Sequence, residues 1–266
     1  MRWLALSGLL ALVLAAVLAG PLTGHDPIAQ HLGDRLLPPG TAGHLLGTDD
    51  KGRDVLARTL YGARVSLLVG FVAATAASAF GLLLGLLAGY YGGWADRIVT
   101  RAGDVWIAFP FLVLAVATLA VAGSDLWILV SLLALAGWVT PTRVTRSLVR
   151  RLRGADHVQA AIGLGAGDAG VIRKHILPAV LPANLVVWTL TVGTLILIEG
   201  GLSFLGLGVR PPTPSWGNML NDGRGFLEIA WWMIAAPGVA LTLTVLLTNL
   251  LGDALRDRLD VRLRDR

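Results

Sequence analysis

The sequence predicts an all-α integral membrane protein with six transmembrane helices. Three observations carry that expectation. Of 266 residues, 55% are hydrophobic and only 15% are charged. An ordinary soluble domain carries about 25% charged residues, so there are too few here to build a polar shell. The apolar residues cluster into six blocks instead of spreading with a helical or strand period, and the blocks can be judged against the ~20 residues a helix needs to cross a bilayer. The basic residues are also divided unevenly between the segments that join those blocks.

The blocks cover residues 3–22, 65–91, 105–122, 126–139, 181–203 and 229–251. The fourth is short, so its helix is expected to begin near Ser124 and to end past Pro141. Arg2 precedes the first block as it would in a signal peptide. That run reaches about twenty residues, beyond the 7–15 of a signal core, and has no clear cleavage site, so a retained span is expected. Orientation follows from arginine and lysine. If the N-terminus is cytoplasmic, fifteen basic residues lie inside and seven outside, and segment 143–174 is the richest. Cytoplasmic loops carry such an excess. Both termini are therefore expected in the cytoplasm, and the pI of about 10.4 is ascribed to this rule and not to nucleic-acid binding.

One membrane domain is the simplest division. It comprises a first helix (1–22), an extracytoplasmic segment (23–64), a core carrying spans two to six (65–252) and a cytoplasmic tail (253–266). A further short helix outside the membrane, near residues 50–62, is compatible with this plan. Within block two, Ala77, Gly81, Gly85 and Gly89 recur every four residues. They form a face on which another backbone can approach closely, either within the chain or between subunits.

Several chemistries are excluded. With no cysteine, there are no disulfides, thiolate metal sites or cysteine nucleophiles. Neither lysine, Lys51 or Lys174, sits in a phosphate loop of the form G-x-x-x-x-G-K-S/T, so no ATP hydrolysis is expected of this chain, no cofactor is expected on it, and any energy from ATP would come from a partner. No H-E-x-x-H is present. Gly201-Leu202-Ser203-Phe204 offers a serine after a glycine, but all five histidines lie outside the blocks, which leaves a serine protease without its base. Glu199 is the one acidic residue inside a block. It reads either as a hydrogen bond to a neighbouring helix or, with Ser203, as part of a gate or pathway wall. A stand-alone channel or secondary carrier would need Glu199 as its coupling site.

Residues 156–178 read DHVQAAIGLGAGDAGVIRKHILP, too polar to cross a bilayer. Asp156 is expected to cap one short helix and Asp168 a second. Gly163, Gly165 and Gly167 would allow a bend between them, and Pro178 would end the second helix. A helix–bend–helix with an apolar face and a small-residue tip suits docking into a partner's groove; it also suits an interfacial helix whose Arg173 and Lys174 meet lipid phosphates.

This stretch resembles the EAA loop of ABC importer permeases, E-A-A-x3-G-x9-I-x-L-P. Ala160, Ala161, Gly165, Leu177 and Pro178 match. Gln159 replaces the acidic residue, and His175 stands at the isoleucine, as in the H-I-L-P of the peptide branch. Residues 44–67 (HLLGTDDKGRDVLARTLYGARVSL), 202–216 (LSFLGLGVRPPTPSW) and 247–260 (LTNLLGDALRDRLD) are similar to the dipeptide/oligopeptide/nickel permease family and to its "C"-type subunit. The resemblance covers about residues 44–260.

It implies a type I importer permease, multi-pass in the plasma membrane of a prokaryote. Its partners would be a homologous second permease, two cytoplasmic ATPases that hold the ATP and magnesium, an extracytoplasmic solute-binding protein and membrane lipid. Substrate, by default a peptide, would pass between the two permeases. Gln159, Ala160, Ala161, Gly163, Gly165, Ala166 and Asp168, with Leu177 and Pro178, would form the coupling segment. Asp49, Asp50, Arg53, Asp54 and Arg224, read as exposed charges, would meet the binding protein. Arg53 and Asp54 read equally well as a brace between the outer loop and span two.

Overall fold

The computed structural model describes residues 2–41 and 43–264; Asp265 and Arg266 of the expected tail lie outside the described residues. Twelve α-helices account for the described chain's regular structure apart from short 3-10 and π segments and two isolated bridges. They are α1 (Arg2–Val17), α2 (Ala19–Thr23), α3 (Val55–Tyr91), α4 (Gly93–Ala108), α5 (Phe111–Ala122), α6 (Leu126–Gly137), α7 (Val139–Arg153), α8 (Asp156–Gly163), α9 (Asp168–Val171), α10 (Leu177–Phe204), α11 (Trp216–Gly223) and α12 (Trp232–Arg264).

Among the described residues, four helical stretches are long and apolar enough to cross a membrane: Val55–Tyr91, Leu126–Arg153, Asp168–Phe204 and Trp232–Arg258. A fifth is the pair α4–α5, bent by 82°. The first predicted block departs from expectation. Helix α1 has 16 residues, about 24 Å at 1.5 Å per residue, against a hydrocarbon core of about 30 Å. The helical path breaks at Leu18 (φ −90°, ψ 15°) before α2.

Other boundaries moved for identifiable reasons. Block three was expected as one span, but Pro110 divides it. Phe109 before that proline is extended (φ −87°, ψ 131°), since proline disfavours the α region for its predecessor. No separate helix covers 50–62. Helix α3 begins at Val55, where the Asp54 carboxylate accepts from Ala57 N at 2.6 Å, and runs unbroken for 37 residues. Block five starts earlier than predicted, because α9, a π turn at Ile172–Ile176 and α10 run on as one stretch. Pro178 does not end the preceding helix. It lies in the first turn of α10, where its missing N–H costs little, and the widened turn lets Leu177 N donate to Ile172 O.

Helix α3 is the axis of the bundle, packed against α1, α4, α6, α7 and α10. Its small-residue row resolves the choice left open by the sequence. A Cβ on Gly81 would lie 2.8 Å from Trp138 O, on Gly85 2.8 Å from Thr142 O, and on Gly89 2.9 Å from Arg146 O. The row is therefore the seat of α7 within the same chain. Three buried clusters follow along the bundle. The central one holds Leu67, Leu133, Leu195, Ile196 and Trp216. Tyr90, Val149, Val158, Val171, Ile176 and Val180 form a second at the end expected to be cytoplasmic. Val55, Met219, Trp232 and Met233 form the third, at the opposite end.

Candidate functional site

The segment between α7 and α10 is a projecting finger on a buried root. Val158 of α8 and Val171 of α9 are fully buried in the cluster with Tyr90 and Val149. Between them, residues 162–169 are exposed, and Leu164 is 89% exposed at the tip. The turn is made by one glycine. Gly165 has φ +85°; its N donates to Ile162 O at 2.9 Å, and Ala166 N donates to Ala161 O at 3.0 Å. This pair of bonds around a left-handed residue is a Schellman ending of α8. Gly163 stays within α8 and Gly167 is extended, so the expected three-glycine bend reduces to Gly165.

The two expected aspartate caps are corrected. Asp156 and Asp168 lie in the first turns of α8 and α9 without capping them. Asp168 instead accepts a hydrogen bond from Tyr90 Oη at 2.9 Å, and Arg153 lies over the Tyr90 ring at 5.1 Å. The far side of the bend is thereby tied to the end of α3. Gln159 donates to Arg153 O at 2.6 Å, satisfying a carbonyl left open at the end of α7. Ala160 and Pro178 are exposed, while Ala161 and Leu177 are half-buried. Tyr90 was missed by the sequence reading, because its partner lies 78 positions away.

Glu199 and Ser203 are both fully buried. Ser203 Oγ donates to Glu199 Oε1 at 2.6 Å, and Ser66 Oγ donates to Oε2 at 3.1 Å. Trp216 N in turn donates to Ser66 Oγ at 3.3 Å, and its indole N–H donates to Thr59 O at 3.0 Å. One carboxylate thus joins α3, α10 and α11. Replacing Glu199 by leucine strands two buried hydroxyls, each at about 1–3 kcal/mol. Glu199→Leu is expected to lower the thermal midpoint of the detergent-solubilised protein well below that of Glu199→Gln, which keeps an acceptor; equal midpoints would refute this bracing role.

At the same end, the charges read as exposed prove largely internal. Asp49, Arg53 and Asp54 are buried, because each is consumed by a partner. Arg53 Nε lies 2.7 Å from Asp49 Oδ2. Arg53 and Arg58 each reach Asp222 Oδ2 at 3.4 Å. Asp54 caps α3 and lies 2.8 Å from His44 Nδ1. The bracing alternative is the one the geometry supports for Arg53 and Asp54. Asp50 is half-buried and Arg224 exposed. A cleft beside this network is lined by Lys51, Arg53, Arg58 and Arg210 with Asn218 and Asp222. Asp222 closes the network across 169 positions from Arg53, a pairing that spacing along the chain does not signal.

The family model described as "Binding-protein-dependent transport system inner membrane component" matches residues 81–265. Among curated relatives, the dipeptide transport system permease protein DppC of Alkalihalophilus pseudofirmus is 42% identical, covering 98% of this chain and 86% of that one. The di/tripeptide transport system permease protein DppC of Pseudomonas aeruginosa is 40% identical, with 98% and 89% covered. The glutathione transport system permease protein GsiD of Pectobacterium atrosepticum is 40% identical, with 97% and 86% covered. Among solved structures, the inward-facing MetNI methionine ABC transporter matches 74% of this chain and 94% of its own at a TM-score of 0.61. At 21% identity that match speaks to the fold alone.

Proposed function

Because the chain belongs to the family of inner membrane components of binding-protein-dependent transport systems, we propose that it is one of two permease chains of an ATP-driven importer of di- or oligopeptides, coupled to ATPase partners through residues 156–178. The observation that carries the reading is the finger. Its tip from Ile162 to Ala169 is exposed while Val158 and Val171 are buried in the bundle. A force on the tip is therefore passed to Tyr90, Val149 and Val180, and through them to α3, α7 and α10. A partner can bias one state of the permease over another only through contacts that differ between states, and this is the place where such contacts reach three spans at once.

In this reading no nucleotide binds to the chain, and magnesium and ATP belong to the ATPase subunits. The protein sits in the prokaryotic plasma membrane with both termini cytoplasmic. Glu199 and Ser203 hold the far ends of the spans together. The solute-binding protein rests on that far surface, where Lys51, Arg210 and Arg224 offer charge not consumed by the α3 network, whereas Asp50 pairs with Arg53 at 3.8 Å. A peptide substrate follows from the dipeptide and di/tripeptide systems of the relatives.

The test is purification of the tagged protein from native membranes in mild detergent, with mass spectrometry of what accompanies it. A homologous permease and one or two nucleotide-binding ATPases are expected. A protein that arrives alone or as a homo-oligomer, unresponsive to ATP, would contradict the proposal.

A further inference from the structure

At the α3 N-terminus, away from the finger, three side chains from separate segments converge. We propose that His25, His44 and Asp54 form a binding site for a divalent transition-metal ion, with zinc as the best-suited probe. Their ligand atoms all lie within 4.8 Å of one another. His44 Nδ1 stands 2.8 Å from Asp54 Oδ2, and the two imidazole rings are 4.8 Å apart, tilted by 30°. Tetrahedral bonds of about 2.0–2.1 Å place neighbouring ligands about 3.3 Å apart. The observed spacings bracket that value, so shifts of about an ångström bring all three onto one ion.

Two of the ligands are held before any ion arrives. Asp54 Oδ1 accepts from Ala57 N, which fixes the carboxylate with Oδ2 directed at His44 Nδ1. His44 and Asp54 are each pinned by an isolated bridge, Thr41 to His44 and Thr48 to Asp54. His44 and Asp54 are buried, so an ion there is shielded from competing water. His25 comes from the turn after α2, held by the bond from Arg58 Nη1 to Pro27 O at 3.3 Å. It lines an open cleft of about 660 Å³, so one of the three ligands is reached from solvent. Two imidazoles and one carboxylate suit zinc, cobalt, nickel or copper, whereas magnesium and calcium prefer all-oxygen sets. The ion would take the place of the direct His44–Asp54 contact and recruit His25, clipping the residue 25 turn to the start of α3.

The test uses the assembled complex, purified through a tag without histidines, stripped by chelator and titrated with cobalt. One additional cobalt per permease chain is expected, with visible tetrahedral-type absorption that zinc abolishes. His25→Ala, which removes a ligand outside the cap, is expected to weaken this binding about tenfold or more. Asp54→Asn keeps an oxygen for the cap but loses the carboxylate, and should weaken it likewise. Because partner chains are the same in all samples, their own metal binding cancels in the comparison. Binding that is absent, or unchanged in both variants, overturns the proposal.

Discussion

Gly165→Trp is expected to abolish uptake while leaving the protein inserted at its normal level. Gly165 adopts φ +85° to close the Schellman turn, and an L-residue there costs about 1–2 kcal/mol. That strain alone is tolerable on an exposed turn. Beyond its chain neighbours, no heavy atom lies within 4 Å of where a Cβ would stand, so a side chain there starts into open space. Its bulk falls where the partner ATPase is proposed to sit. Gly165→Ala separates the two contributions, since it carries the strain without the bulk, and should retain a measurable share of uptake. Labelled-dipeptide uptake, normalised to permease in the membrane, reads the difference. Normal uptake by Gly165→Trp would remove the coupling role from this turn.

Gly85→Leu is expected to cost folding itself. A Cβ there would meet Thr145 Cβ at 2.5 Å and Thr142 O at 2.8 Å. The second contact is backbone and cannot rotate away. Helix α7 must then lift from α3, and overpacking of a well-fitted core commonly costs about 1–3 kcal/mol even when the backbone yields. The displacement also reaches the finger, because Val149 on α7 belongs to its buried root. A large drop in the thermal midpoint and loss of the monodisperse gel-filtration peak are expected together. Leu83→Phe, on the exposed face of the same helix, should change neither. If Gly85→Leu behaves like Leu83→Phe, the glycine row does not seat α7.

Much of this architecture could be read from composition and block length. The apolar runs of α3, α6–α7, α10 and α12 are long enough to announce themselves, and the asymmetry of arginine and lysine gave each an expected direction. What escaped were features decided by single residues or by distant partners. Pro110 bends the chain by 82° between α4 and α5, whereas Pro178 and Pro182 lie in a helical stretch that continues past them. Their effect depends on whether the preceding turn can widen, and composition does not encode that. The outer charges looked exposed because polar residues in a loop usually are. Arg53 became internal through Asp49 and through Asp222, which belongs to α11 and meets it only in three dimensions. The finger was legible as helix–bend–helix from its glycines and small residues. Its attachment through Tyr90 and Asp168 was not, since neither residue is unusual where it stands in the sequence.

The most direct measurement exploits the absence of cysteine from the chain. Leu164→Cys places one thiol at the exposed tip of the finger. In native membranes, a short bifunctional thiol reagent should join it to an ATPase subunit, and the yield should change when ATP is trapped in the complex. The same thiol should stay unlabelled by a membrane-impermeant maleimide added to intact cells. Labelling from outside, or no cross-link in a complex from which the ATPase still co-purifies, would contradict the assignment of residues 156–178 as the coupling segment.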